Sequence, residues 1–327
     1  MTNKLTIAIP IYNGEATLAD TLDSIIPQII ESGLVEILIC DNCSTDSTFL
    51  ICKSYVTKFD FINYNLNAVN LGFDGNIARL IDLASTDYIW FLGDDDEIAS
   101  GGIEYVLHLI NQNVRYSGIV INYSLVNREN NKIITEKVIN QTQDFEFVDS
   151  SSLLNTLGLA PNFLSSVIIN KRKYNKNEMS KFIGFQWFHF MVFLRLIESG
   201  KSYFVSYPYV LNKGIYVNGP NFANAGGVSL NIVLDLIDHI NDLNPLNYTQ
   251  NVKKNVINDS FAVFYRKVAS ARMYGTKISY SIIKRLLFYY WKRPQLYIFI
   301  LPLYFMPSFV YKVIYMSRSL YRKILTA

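Results

Sequence analysis

Cysteine is scarce in this sequence: Cys40, Cys43 and Cys52 are the three among 327 residues. Cys40 and Cys43 stand two residues apart, but no second Cys or His pair lies nearby to complete a zinc site. Cys40 ends an apolar run and reads as a core residue. An odd number of thiols, with no targeting pattern ahead of Leu5-Thr6-Ile7-Ala8-Ile9-Pro10, favours a reducing compartment. Charge is also sparse, at 17% of residues against 50% hydrophobic. That balance excludes a disordered chain and allows one large domain or two ordinary ones. Acidic residues are missing altogether from residues 260–327, which hold 12 Lys/Arg. The rest of the chain then carries 18 basic and 27 acidic side chains, so the net charge of +3 hides an acidic body and a basic tail. Such a tail calls for an anionic surface as partner. A mean hydropathy of +0.16 hints at a membrane-facing surface. Two nucleotide-binding motifs are missing too. The first strand-to-helix turn lacks G-x-G-x-x-G, which argues against a dinucleotide, and no G-x-x-x-x-G-K-[ST] occurs, which excludes a P-loop.

What is present is an alternation of strands and helices. Leu5–Ile9 reads as a strand, and Leu18, Leu22, Ile25, Ile26 and Ile29 then mark one face of a helix. Val35–Cys40 is a second strand, Ser47–Lys58 a helix, Phe61–Tyr64 a third strand, Ile77–Ala84 a helix and Tyr88–Leu92 a fourth strand. The order predicts an α/β fold with a mostly parallel, doubly wound sheet, whose ligands sit beyond the carboxyl ends of the strands. Each strand end carries a polar cluster: Tyr12-Asn13-Gly14-Glu15, then Asp41–Asp46, then Asn70–Asn76. The fourth strand is apolar and runs into Gly93 and four consecutive carboxylates, Asp94, Asp95, Asp96 and Glu97. Two carboxylates about 4 Å apart repel by roughly 4 kcal/mol at an effective dielectric near 20. A hard divalent cation, Mg²⁺ or Mn²⁺, removes that repulsion and usually brings a phosphate with it. A solvated acidic turn capping the next helix is the alternative.

Taken together, Pro10-x-Tyr12-Asn13-x-Glu15, Asp41-Asn42-x-Ser44-x-Asp46, Asn70-x-Gly72 with Asn76, and the apolar strand ending in Asp94-Asp95-Asp96 resemble the motifs of family 2 glycosyltransferases of the GT-A fold. The resemblance is clear over residues 4–100 and looser over 101–220. It implies that Pro10, Tyr12, Asn13 and Glu15 hold the base and ribose, with Asp41, Asn42, Asn70 and Asn76 completing the nucleotide site. It implies that Asp41 accepts from the base N–H. It also implies that Asp94, Asp95 and Asp96 bind the ribose and, through the metal, the diphosphate, with Asp95 and Asp96 the acids of the reaction and Asp94 toward the ribose. Many relatives have an acid where this chain has Gly93, so which Asp touches the metal stays open.

Inverting relatives carry an acidic pair at the start of a later helix, and here Gln186-Trp187 stands in its place. Neither side chain accepts a proton usefully at neutral pH. His189 has the right titration range and is a candidate catalytic residue, though a lone His among aromatics also reads as core. Without that base, either a carboxylate from elsewhere serves or the reaction is retaining. The combination is similar to abequosyltransferase-type enzymes of O-antigen synthesis, which use CDP-sugars.

Further along, Ile119–Tyr123 and Val167–Ile169 are expected strands. Lys171-Arg172-Lys173 is a solvated turn or a phosphate contact, and Tyr207–Asn224 is a loop-rich flap. From Val228 the pattern is helical, which divides the chain into a catalytic domain over 1–225 and a helical, basic and aromatic region over 226–327. Lys284–Arg293 sets aromatics between cationic pairs, and residues 294–311 carry no charge over 18 positions, interrupted by Pro302 and Pro307. An interfacial helix pair suits this better than a bilayer span, and an ordinary helical subdomain or an oligomer contact is the other reading. Nucleic acid is not expected, given the acidic body.

The expected activity is therefore a metal-dependent hexosyl-class transfer from a CDP- or UDP-sugar to a lipid-linked (polyprenyl diphosphate) saccharide. Its expected place is the cytoplasmic face of the inner membrane, as a peripheral protein. A UDP-hexose or UDP-HexNAc inverting transferase is the alternative within the fold. A nucleotidyltransferase would want a basic loop after strand one, which Ile11–Ala16 lacks. A non-enzymatic membrane scaffold would have no use for the acids.

Overall fold

The computed structural model describes residues 4–198, 200–215, 230–243, 247–273, 279–307 and 310. They fall in two compact units, one of residues 1–218 with 245–248 and one of 219–244 with 249–327.

The first unit opens as a repeated strand and helix: β1 (Leu5–Ile11), α1 (Leu18–Ser32), β2 (Val35–Asp41), α2 (Thr48–Lys58), β3 (Ile62–Leu66), α3 (Gly72–Leu83) and β4 (Tyr88–Phe91). β1 and β2 are apolar along their length and buried throughout, as strands covered on both faces must be. α1 turns Leu18, Thr21, Leu22, Ile25, Ile26 and Ile29 into the core and ends at Gly33, whose φ of 59° lets its N–H return to the Ile29 carbonyl. β5 (Asp96–Ile98), α4 (Gly102–Ile110), β6 (Gly118–Asn127), β7 (Ile133–Thr135), β8 (Phe145–Phe147), α5 (Ser150–Leu157), β9 (Val167–Asn170), α6 (Lys176–Met179), α7 (Phe188–Ile197) and β10 (Ser202–Ile215) follow.

The strands join one sheet in the order β3-β2-β1-β4-β9-β6-β10-β5, with β7 paired to β6 and β8 to β10. The first four are parallel, as the alternation demands. Beyond them the sheet is mixed rather than mostly parallel. β9 lies antiparallel between β4 and β6, and β10 runs parallel to β6 but antiparallel to β5 and β8. The reason lies in the connection: β6 and β9 are joined through the β7–β8–α5 excursion rather than by a helical crossover, so the chain returns in the opposite sense. Two reversals then give β6 the sense of β4. The carboxyl ends of β1, β2, β3, β4, β6 and β10 consequently share one edge.

Two local expectations change. Residues 207–215, expected in a loop, belong to β10, whose register with β6 slips between Val205 and Val210. Pro208 sits in that slip, where a residue without an N–H is tolerated. Residues 216–224 of the expected flap lie outside the described residues. α3 starts at Gly72 rather than Ile77, which brings Asp74 and Asn76 into its first turns and buries both.

The second unit contains α8 (Leu230–Asn241), α9 (Gln250–Met273), α10 (Tyr280–Tyr290), a five-residue π-helical turn over Leu296–Ile300 and α11 (Leu301–Phe305). Val233, Leu234, Ile237, Phe261, Ile283 and Leu286 are among the side chains of its core. Among the described residues no helix is long and apolar enough to cross a membrane.

Candidate active site

The carboxyl edge of the sheet gathers three polar loops and one acidic turn. After β1, the short polar residues Asn13-Gly14 turn the chain into α1. Asn13 takes a φ of 55°, a conformation that Asn tolerates because its side chain bonds locally. Its N–H donates to Ser44 Oγ at 2.9 Å, and its Oδ1 accepts from the Thr45 N–H at 2.8 Å. Glu15 Oε2 accepts from the Ser47 N–H at 2.9 Å, while the Glu15 N–H donates to Asp46 Oδ2 at 3.1 Å. The loops after β1 and β2 are thus zipped together by reciprocal bonds. Pro10 remains in β1, opposite Cys40. Tyr12 projects from the zipped loops with half its surface, 50%, exposed.

Asp41, fully buried at the end of β2, accepts from the Ser44 N–H at 2.8 Å and from the Tyr64 hydroxyl at 2.7 Å. Burial, together with that carboxylate, pushes the Tyr64 phenol up. Beside it Asn42, Asn70 and Asn76 bond to one another's neighbourhood through Asn67. Asn42 Nδ2 donates to Asn70 Oδ1 at 2.8 Å, Asn67 Nδ2 donates to Asn42 Oδ1 and Asn76 Oδ1, and Asn76 Nδ2 donates to the Cys40 carbonyl at 2.9 Å. In this arrangement the three asparagines brace the strand ends.

The acidic turn, residues 93–96, follows β4. Asp94 Oδ2 accepts from Thr17 Oγ1 at 3.2 Å, and its carbonyl accepts from Thr21 Oγ1 at 2.8 Å, so α1 holds it from one side. The approach needs glycine: any side chain on Gly14 would collide with the Asp94 carboxylate. Asp96, buried in β5, accepts from Ser165 Oγ at 2.5 Å and from the Lys213 N–H at 3.3 Å. Ser165 also receives the Gly93 N–H at 2.9 Å, and its carbonyl receives Trp90 Nε1. Arg128, just past β6, donates to the Asp95 carbonyl at 3.2 Å and reaches Asp20 at 3.3 Å. Among the described residues no other side chain holds the Asp95 carboxylate, which lies against Gly93 and Gly214.

Charge on this turn is poorly compensated. Burial, then the neighbouring Asp95 charge, pushes Asp94 up to about 7. Burial also raises Asp95, against the pull of Arg128, and raises Asp96 well above the carboxylate range with Asp95 adding to it. Three acids held this way are a hard, all-oxygen donor set short of positive charge, which suits Mg²⁺ or Mn²⁺. Among the described residues no three acidic, His or Cys side chains are placed to hold a metal ion by themselves. Any cation here would have to take most of its ligands from water or a bound phosphate.

The second candidate region lies at the start of α7. Gly184 and Gln186 take positive φ values of 105° and 61°, and the Gln186 side chain is exposed. Their N–H groups and that of Phe188 all donate to the buried carboxylate of Asp74, at 2.8, 2.7 and 3.3 Å. His189, 3% exposed, has its Nε2 at 2.7 Å from the Asn162 carbonyl and meets Phe73 edge-on. A carbonyl can only accept, so Nε2 carries the proton; Nδ1 has no partner. Burial lowers the His189 pKa. Its contacts run to Asn162 and Phe73 rather than to the acidic turn. Lys171 donates to the Ile81 and Ala84 carbonyls and Arg172 pairs with Asp87, so this basic turn is tied to its own side of the sheet.

Thr17, Ser165, Arg128, Tyr64, Asn67 and Asp74 are the functional neighbours that sequence patterns did not single out. Asp74 stood inside the Asn70–Asn76 loop, whereas Arg128 and Ser165 belong to no motif.

Against known proteins, a family model described as Glycosyl transferase family 2 matches residues 6–195. Abequosyltransferase RfbV of Salmonella typhimurium is 26% identical over 264 residues, which is 76% of this chain and 76% of that protein. The GalNAc(5)-diNAcBac-PP-undecaprenol beta-1,3-glucosyltransferase of Campylobacter jejuni is 30% identical over 129 residues, 39% of this chain and 40% of its own. Among solved structures, S. aureus TarS 1-349 in complex with UDP-GlcNAc superposes with a TM-score of 0.60 at 17% identity, over 88% of this chain and 79% of that one. The fold is shared.

Proposed function

The chain belongs to glycosyl transferase family 2, and from that premise we propose that it moves a dideoxyhexose such as abequose from a metal-bound pyrimidine nucleotide sugar to a lipid-linked saccharide in surface-polysaccharide synthesis. The observation that carries this reading is the acidic turn at the carboxyl edge of the sheet, whose Asp94 carboxylate lies against Gly14 and Thr17 and whose Asp95 carboxylate has no side-chain donor among the described residues. The donor site falls in the first unit. Tyr12 offers an exposed ring to the base, and Asn13 and Glu15 fix the loop that carries it. Asp41, enclosed and bonded to Ser44 and Tyr64, would reach a base N–H only if Tyr64 or the loop after it gave way. Asp94, pinned by Thr17, would face the ribose, and Asp95 with Asp96 would hold a cation for the diphosphate. When bound, the cation neutralises charge building on the departing diphosphate. Arg128 anchors the turn that presents these acids.

Where the resemblance places an inverting base, this chain has Gln186, which cannot take a proton. That residue supports a retaining transfer, in which the acceptor hydroxyl needs no such carboxylate; a carboxylate from elsewhere is the other way to fill that role. A similarity to a protein named abequosyltransferase over 76% of the chain supports the sugar, and the relative named for an undecaprenol-linked saccharide supports a lipid-linked acceptor. With such an acceptor, a peripheral place at the cytoplasmic face of the membrane follows.

Thermal stabilisation by CDP, UDP, GDP and ADP, each with and without Mn²⁺, tests the reading. A Mn²⁺-dependent upward shift with CDP is expected, absent in Asp95→Ala, along with a loss of turnover of about 100-fold or more in that variant. A shift with UDP alone moves the donor to a UDP-hexose or UDP-HexNAc. No shift with any nucleotide sinks the proposal.

A further inference from the structure

The second unit carries a surface that the transferase chemistry does not use. In α10 the buried side chains Ile282, Ile283, Leu286 and Tyr290 form one stripe. The opposite stripe, Tyr280, Lys284, Phe288 and Trp291, follows a spacing of four, four and three residues, which keeps all four on one helix face. The three aromatics there, with Ile298 and Phe305 further on, are between 59% and 76% exposed. Exposed large apolar groups are ordinary when scattered, but concentrated on one face they mark a binding surface. Charge accompanies them. Lys284 and Lys292 are exposed, and Lys292 Nζ lies 5.1 Å from the centroid of the Trp291 ring. Tyr297 donates from its hydroxyl to the Trp291 carbonyl at 3.0 Å, which ties α10 to the turn that follows it.

We propose that this exposed face of α10 is a docking surface for an anionic lipid bilayer, with the rings at headgroup depth and the lysines on lipid phosphates. Aromatic rings with one wet edge settle at the interface, and Lys extends its ammonium to the headgroups from an apolar stem. The absence of any Asp or Glu from residues 260–327 is what selects this occupant. A second copy of the chain, paired about a two-fold axis, would set Lys284 and Lys292 against their own images, while Asp235 and Asp238 of α8, the acids that do reach α10, are already taken by Arg285. A bilayer supplies many phosphates and an apolar layer at once. α10 spans 11 residues and α11 five, too short to cross a bilayer, so the surface lies on it rather than through it. The inference deepens the peripheral placement proposed above, and vesicle binding is measured with neither donor nor acceptor, so it can fail while the transferase reading stands.

The test is co-sedimentation of the full chain with vesicles of phosphatidylcholine alone and of phosphatidylcholine mixed with phosphatidylglycerol. Binding to the mixed vesicles and little to the neutral ones is expected. Lys284→Gln and Lys292→Gln should each weaken it about fivefold. Phe288→Ser with Trp291→Ser should abolish it, while Trp291→Phe should retain it; circular dichroism matching the parent shows that the variants are folded. Tryptophan fluorescence should be quenched by brominated lipid, and the quenching should disappear in Trp291→Phe, which leaves the buried Trp90 and the half-buried Trp187 in place. Equal binding to both vesicle types, no binding to either, or unchanged binding by the Ser double variant overturns the proposal. So does concentration-dependent dimerisation, or binding to single-stranded RNA, that the double variant abolishes while vesicle binding is missing.

Discussion

His189 shows how far a residue's chemistry depends on what encloses it. From sequence its titration range made it a candidate for proton transfer. In the fold its Nε2 proton is committed to the Asn162 carbonyl, and burial lowers its pKa. The depressed value has a consequence for stability. The unfolded chain protonates this imidazole near pH 6.5, whereas the folded chain resists until a lower pH. The neutral form's advantage is thus complete above about 6.5 and is lost as the pH falls through the folded value. His189→Gln keeps an amide donor for Asn162 and removes the titration. We expect the acid limb of the melting-temperature profile to flatten in this variant, with turnover within about threefold of the parent. A loss of about 100-fold in turnover at unchanged stability would instead make His189 a catalytic group. Serine tells the opposite story. Ser165 receives the Gly93 N–H and donates to Asp96, yet nothing in its local sequence announces this, because the pairing spans 72 and 69 residues.

At the scale of elements, β1 to β4 were legible because each strand is a short apolar run bounded by turn residues, and each helix repeats its apolar side chains on one face. Their parallel order follows from that alternation alone. The antiparallel insertion of β9 was not legible, since it depends on where a long irregular excursion happens to return. β10 was hidden by Pro208 and Gly214, residues that ordinarily mark loops and here sit in an irregular strand. Gly214 also gives the Asp95 carboxylate its room, since a side chain there would collide with it. The start of α7 is a comparable case. Two positive φ values in three residues would fray a helix entrance, but Asp74 reaches across from α3 and takes three of its N–H groups. Each N–H is partly buried and would lose its partner in Asp74→Ala. A destabilisation of about 2–3 kcal/mol is expected by urea denaturation, with Asp74→Asn costing less because one acceptor oxygen remains. Equal losses in the two variants would show that the charge, not the bonding, matters.

For the molecule as a whole, the distribution of charge is the property that composition made plainest and on which the proposed membrane docking rests. The positive excess is confined to the last 68 residues, while the remainder is acidic. The acids of the turn are largely enclosed, whereas Lys284 and Lys292 stand in solvent. Added salt is therefore expected to act unequally on the two proposed interactions. Exposed charges lose their reach as the screening length falls from about 10 Å at 0.1 M to about 4–5 Å at 0.5 M, while buried groups in contact with a bound cation are screened much less. Raising NaCl over that range is expected to release the protein from phosphatidylglycerol vesicles by about tenfold or more, and to leave its Mn²⁺-dependent stabilisation by the preferred nucleotide within about twofold. The two readouts come from one preparation, so a general loss of folding would depress both. If salt weakens nucleotide binding as steeply as vesicle binding, the donor diphosphate must be held by exposed cations rather than by a metal on Asp95 and Asp96. If vesicle binding persists at 0.5 M, the apolar face of α10 alone carries it and the lysines are bystanders.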